Sequence, residues 1–259
     1  MLDLYGYSLL TIFLVGLAAI LAVSELGWQI GTRGLGRGNN NISTLESAML
    51  GLLALIIGFS FAMALSRFEA RRDAVVNEAN AIGTTALRAR LLPDPYRVET
   101  LKLLREYIKI RVDVVQSGQS LADMKTAIDR SNDIQEALWL QVKALTTKDN
   151  GMVPTGLFIQ ALNEMIDNQA MRLAALRNRI PNIVLLGLFG IAAVAGGIAG
   201  YASGLDTKRT RLPLYIMGLI VATVILLIFD LDRPSSGFIV NNQQSIIDTA
   251  ASIAAFPAQ

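Results

Sequence analysis

The sequence predicts an all-α membrane protein: four transmembrane helices, with a helical extramembrane domain inserted between the second and third. Three observations carry that prediction. Hydrophobic residues make up 53% of the 259-residue chain and charged residues only 17%, too apolar a balance for an ordinary soluble protein. The apolar excess is concentrated in four charge-free segments, 4–24, 47–66, 182–205 and 212–229. At about 1.5 Å per helical residue each can cross a hydrocarbon core of roughly 30 Å, the last being near the lower limit. Between the second and third segments, residues 67–181 place apolar side chains at helical spacing and show no useful strand-like alternation.

The first segment follows "MLDLYGY", which contains an acid and no Lys or Arg. No small-residue cleavage pattern follows, so the segment reads as a retained helix and not as a signal peptide. The Gly- and Asn-rich "ELGWQIGTRGLGRGNNNISTLE" joins it to the second segment, with a capping start at Ser43 or Thr44 and Glu46 nearby. In "LLALIIGFSFAMALSRFEARR" the charge-free run passes into charge at Arg67 with no helix breaker. One helix of about 60 Å is therefore expected to leave the membrane and enter the polar domain as a stalk.

Within that domain Phe68, Val75, Ala79, Ile82 and Ala86 mark a first helix, and Leu101, Leu104, Ile108, Val112 and Val115 a second. Leu121, Met124, Ile128, Leu138, Val142 and Leu145 mark a third. Leu162, Met165, Gln169, Leu173, Leu176 and Ile180 mark a fourth. The breaks fall at "LPDPY", "QSGQS" and "TTKDNGMVPTG". Pro181 in "RNRIPN" calls for a kink or a fresh start at the third span, and "DTKRTR" is a short basic turn before the fourth. In the tail, Ile246, Ile247, Ala250 and Ile253 repeat at helical spacing and predict a helix docked on the domain or the membrane surface. The expected organisation is 1–66 for the first two spans, 67–181 for the helical domain, 182–230 for the last two spans and 231–259 for the tail.

The chain has no Cys and no His, which removes disulfides, thiol and imidazole catalysis and the usual Zn, Cu or haem ligand sets. Its formal charge of +2 is nearly neutral and points away from nucleic acid. No cofactor motif and no nucleophile, base or metal constellation stands out, so no enzyme is expected. The lipid bilayer is the one partner that composition demands.

Several patterns are candidates for function. Ala192, Gly196, Gly200 and Gly204 recur every four residues and let another helix approach closely, either within the chain or between subunits. In the second span Ala48, Leu52, Leu55, Phe59 and Ser66 fall within about ±40° of one another at about 100° per residue, with Met63 at the margin. That stripe is either packed against other spans and lipid, or it lines a dry constriction where apolar rings gate ions. Arg67, Glu69, Arg71, Arg72 and Asp73 either anchor the helix in headgroups or, with Ser66, form the mouth of such a pore. In "FDLDRP", Asp230 and Asp232 can coordinate a hard cation or bind Arg side chains at the end of the span. "GLGRG" at Gly34 to Gly38 lacks the strand and the Lys-Ser or Lys-Thr pair of a phosphate loop and reads as a flexible hairpin. The sequon at Asn41 is bare. Basic residues flank both faces of the membrane, and their count leaves the orientation open.

These residues carry a resemblance. Gly58-Phe59, seven further residues and then Arg67-Phe68 are similar to the pore-lining second helix of the bestrophin channels. The run "RFEARRDAVVNEANAIGTTALRARLLPDPYR" together with "LDRPSSG" more closely resembles a bacterial bestrophin-like membrane-protein family of unknown function. On that register Phe59 and Leu55 fall on two neck positions, beside Leu52, and Gly51 falls on the third. The acidic calcium-clasp run of animal bestrophins has no counterpart beyond Asp230 and Asp232. The resemblance implies a homopentamer around a central pore in the cell's inner membrane. It also implies a cytoplasmic helical domain and passive permeation of inorganic ions, usually anions such as chloride. The rival expectation is a non-conducting scaffold or sensor whose helical domain binds a partner protein.

Overall fold

The computed structural model describes residues 4–33, 40–116, 121–148, 152–206, 210–234 and 237–256. Among them every regular element is helical. After a 3-10 turn at Leu4–Gly6 come α1 (Leu9–Arg33), α2 (Asn40–Ala89), α3 (Tyr96–Gln116) and α4 (Leu121–Lys148). Then follow α5 (Met152–Arg177), α6 (Asn182–Leu205), α7 (Leu212–Asp232) and α8 (Gln244–Ala254). The predicted hairpin at Gly34 to Gly38 lies outside the described residues. Two compact units result, Met1–Phe68 with Arg179–Val240 and Glu69–Asn178 with Asn241–Gln259. Helix α2 supplies residues to both.

The first unit is the membrane unit. Among the described residues four helices are long and apolar enough to cross a membrane: α1, α2, α7 and the stretch containing α6. Lipid tails are as apolar as leucine, so helices in a bilayer associate through close backbone packing and polar contacts instead of through water exclusion. Here α1 and α6 meet along a seam of small residues. A Cβ on Gly200 would fall within contact of the Ser24 carbonyl, one on Gly204 against the Trp28 carbonyl, and one on Gly27 against the Gly197 carbonyl. Gly196 faces the Ser24 hydroxyl. Gly218 of α7 lies beside Ile20 and Leu21 of α1. Larger side chains fill the rest of the core, with Ile20, Leu185, Leu188, Ile225, Ile228 and Phe229 fully buried. Phe189 and Phe229 stack at 5.9 Å between ring centroids.

Helix α1 extends nine residues past Ser24, the end of the charge-free segment. Glu25 tolerates this position because Tyr215 Oη donates to its carboxylate at 2.8 Å and Arg211 lies 3.3 Å away. The Arg211 guanidinium also stacks on the Trp28 ring at 3.6 Å. Pro181 occupies the N-cap of α6, so the third span begins afresh. Pro154 sits in the first turn of α5, where a missing N–H is harmless.

The second unit packs the rest of α2 with α3, α4, α5 and α8. Its core holds Ile82, Leu104, Leu138, Leu145, Leu162 and Met165, all fully buried. Helix α8 is the predicted tail helix, and it docks in this unit. Ile246 and Ile253 enter the core, Thr249 lies against Gly83, and Arg105 donates to the Phe256 carbonyl at 3.0 Å. Thr85 Oγ1 donates to the Ala161 carbonyl at 2.9 Å, tying α2 to α5.

Candidate functional site

Helix α2 buries one side of its membrane half and leaves another bare. Leu53, Ser60 and Ala64 are buried. Leu52, Leu55, Phe59 and Met63 are exposed, Phe59 to 66%. A Cβ on Gly51 or on Gly58 would meet nothing within 4 Å. Ser66 continues the exposed face. The residues singled out for a neck, Leu52, Leu55, Phe59 and Gly51, therefore share the open side of one helix.

The three candidates for a pore mouth separate. Ser66 is exposed, whereas Arg71 is buried, with 2% of its surface accessible. Arg67 Nη1 lies 3.7 Å from Asp232 Oδ1, an ion pair longer than a hydrogen bond, and it retains about a fifth of its side-chain exposure.

Asp232 is the centre of a polar node at the end of α7. Its carboxylate is fully buried and accepts the Ile180 backbone N–H at 2.8 Å and the Tyr5 hydroxyl. The same hydroxyl lies 3.0 Å from the Ile180 carbonyl. The Arg179 guanidinium covers the Tyr5 ring at 4.9 Å, and Arg233 donates to the Tyr7 carbonyl. One carboxylate thus ties the N-terminal turn, α2, the entry to α6 and the exit of α7 together. Asp230 instead holds the chain that follows α7, its Oδ1 accepting from Phe238 N at 2.8 Å and its Oδ2 from Ile239 N at 2.9 Å. Gly237, at φ +153°, passes so close to Asp230 that a Cβ there would strike Oδ1. Among the described residues no group of three His, Cys, Asp or Glu side chains is placed to hold a metal ion. Both oxygens of Asp230 and Oδ2 of Asp232 accept from protein donors, whereas Asp232 Oδ1 has only the Arg67 guanidinium at 3.7 Å.

Gly196, Gly200 and Gly204 all lie on the seam against α1 described above.

The second unit contains a buried polar cluster that the helical periodicity passed over. Glu78 is fully buried between Arg111, whose Nε is 2.8 Å from Oε1, and Arg172, whose Nη1 pairs with Oε2. Arg172 also donates to Gln243 Oε1 at 2.9 Å. Beside it Tyr107 Oη and Gln135 Nε2 both donate to Gln169 Oε1, at 2.5 and 2.6 Å. Burial first and the Glu78 charge second push the Tyr107 phenol above its ordinary range, so it remains a neutral donor. The signal was present in the sequence. Glu78 interrupts the run Val75, Ala79, Ile82, and Gln169 interrupts Leu162, Met165, Leu173, each as a polar residue on an apolar face.

Comparison with known proteins agrees with this architecture. A family model described as a bestrophin-like domain matches residues 12–244. The fold is similar to a crystal structure of a bacterial bestrophin homologue from Klebsiella pneumoniae, at 15% identity and TM-score 0.66, over 95% of this chain and 96% of that one. A tryptophan-to-alanine variant of the same homologue matches at 14% identity and TM-score 0.70, over 95% and 96% of the two chains. No curated protein matches.

Proposed function

Because the chain belongs to the bestrophin-like family, we propose that it assembles as a ring of identical copies, five by the family resemblance, and conducts inorganic ions passively across the inner membrane. The path runs along the exposed face of α2. Leu55 and Phe59 form the neck, with Leu52 a turn earlier and Gly51 widening its entrance, and Ser66 opens it toward the cytoplasmic side.

The observation that supports this reading is the bareness of the Phe59 face on a helix whose other side is buried. Within about 40° of Phe59 the exposed positions of α2 pass from Leu52, Leu55 and Met63 to Ser66, the order expected where a dry constriction opens into water. Apolar rings in a narrow path exclude water and so resist ions until they widen.

The test is conductance. Purified protein in planar bilayers should carry ionic current, and Phe59→Ala should raise the open conductance or the open fraction by removing the bulkiest neck side chain. Assembled protein that is electrically silent under all ions and voltages, and that recovers a stoichiometric protein partner, would sink the channel reading in favour of a scaffold.

A further inference from the structure

We infer that the membrane unit carries a phospholipid site, in which one acyl chain lies in an apolar cleft between α1, α2 and α6 and Arg33, at the end of α1, binds the phosphate. The site does not depend on the channel reading. It lies at the end of the unit opposite to Asp232.

The cleft measures about 360 Å³ and no charged side chain lines it. Leu26 and Ile30 of α1, Leu45 of α2, and Val194 and Tyr201 of α6 form its walls, with Gly27 and Gly197 at its floor. A Cβ on Gly27 would strike the Gly197 carbonyl, so these glycines bring the two backbones together and leave no side chain to fill the space beside them. From Val23 to Ile30 the cleft runs for about 10 Å along α1. The helix of a second copy seated over that length would need on the order of 1,000 Å³ at its usual width, several times what the cleft offers. An extended hydrocarbon chain, one methylene wide, fits.

About 20 helical residues cross the hydrocarbon core, so a span that begins near Leu10 ends near Ile30. Arg33 lies one turn beyond, at the level of the lipid phosphates. By helical count it falls about 20° from Leu26, on the stripe that walls the cleft. It is exposed and makes no contact among the described residues. Tyr201 sits beside the same last turn, where a Cβ on Gly31 would meet its carbonyl, and its hydroxyl likewise has no partner among the described residues. A guanidinium and a phenol at the mouth of a charge-free cleft match a phosphate above an acyl chain. The other described charges at this end are engaged or turned aside. Glu25 is held by Tyr215 and Arg211, and Arg211 stacks on Trp28. Asp206 follows α6 about 140° from Tyr201. Glu46 lies on α2 about 40° from Ile42, another lining residue, but one turn deeper, below the level of Arg33.

The experiment titrates the full chain, stripped of lipid by detergent exchange, with phosphatidylglycerol or with a diacylglycerol of the same chains, and reads bound lipid by native mass spectrometry. Wild type should take one phosphatidylglycerol per chain, about tenfold more tightly than the diacylglycerol, the order expected for one charge-assisted contact. Arg33→Gln should lose that preference and still bind the diacylglycerol as wild type does. Leu26→Trp fills the cleft from an exposed position and should weaken both lipids alike. Glu46→Gln, Arg177→Gln and Leu10→Trp, the last at the far end of α1, should bind as wild type does. A wild type that shows no preference for phosphatidylglycerol overturns the inference. An equal loss in Arg177→Gln or Leu10→Trp does so too, since general charge or unspecific surrounding lipid would then explain the binding. So does a Leu26→Trp that changes the assembled mass on size exclusion but keeps its lipid, because the cleft would then be a contact between copies.

Discussion

Replacing Glu78 by Ala should be among the most damaging single substitutions in the polar unit. The carboxylate is fully buried between two guanidinium groups whose side chains retain only 4% and 6% exposure. Truncating it strands two buried cations with no counter-ion. Breaking a buried ion pair in this way typically costs about 3–5 kcal/mol, most of it the penalty of an uncompensated buried charge. For a unit of this size that corresponds to a fall in midpoint on the order of 10–20 °C. The assay is thermal unfolding of the full chain in detergent, followed by the far-ultraviolet helical signal and by recovery of the assembled species on size exclusion. The comparison variants make the reasoning specific. Arg111→Met should do less harm, because Glu78 keeps Arg172. A triple variant, Glu78→Leu with Arg111→Met and Arg172→Met, should recover much of the loss, since apolar residues of similar volume often replace a buried ionic cluster at little cost. A Glu78→Ala midpoint within a few degrees of wild type would refute the argument. So would a triple variant as unstable as the single one, which would mean that packing, not charge, holds this site.

Two further outcomes follow from the membrane unit. Gly200→Leu should lower the detergent midpoint and weaken α1–α6 packing by about 1–3 kcal/mol through overpacking, because even a Cβ there meets the Ser24 carbonyl, whereas Gly51→Ala should be near neutral in stability, its Cβ meeting nothing. Tyr5→Phe removes a hydroxyl that donates to the buried Asp232 carboxylate. It should destabilise by roughly 1.5–3 kcal/mol, the range for hydrogen bonds to charged groups, and should speed proteolysis of the N-terminal segment.

The helices and their spans were legible in the sequence because hydropathy and helical spacing are local. What was not legible depends on partners distant along the chain. The extension of α1 through Glu25 could not be read from hydropathy, since the compensating Tyr215 comes from a position 190 residues away. Asp232 was visible as a carboxylate at a span end, but Tyr5 and Ile180, which both donate to its Oδ2, lie 227 and 52 residues away. Gly200 was visible as part of a small face, while its neighbour Ser24 is an ordinary serine in an apolar segment. The exception is instructive. Glu78 and Gln169 could have been flagged from sequence alone, because a polar residue on an apolar stripe is costly unless partnered and so implies a second polar residue buried nearby.

The same distinction separates the charge that orients a membrane protein from the charge its folded surface presents. Arg67, Arg71, Arg72, Arg172, Arg177, Arg179 and Arg233 all count as basic residues near the span ends, and during insertion, before tertiary partners exist, each contributes to topology. In the folded chain Arg67 pairs with Asp232, Arg172 with Glu78, Arg179 stacks on Tyr5, Arg233 binds the Tyr7 carbonyl and Arg71 is buried. A paired or buried arginine contributes little field to a passing ion, since its counter-charge lies a few ångströms away and the two act as a dipole whose potential falls off faster than that of a single charge. Arg72 and Arg177 are exposed and make no such contact among the described residues, and of these Arg72 points away from the Phe59 face. A formal excess of basic residues near the span ends therefore orients the chain during insertion without setting the field that the folded surface presents.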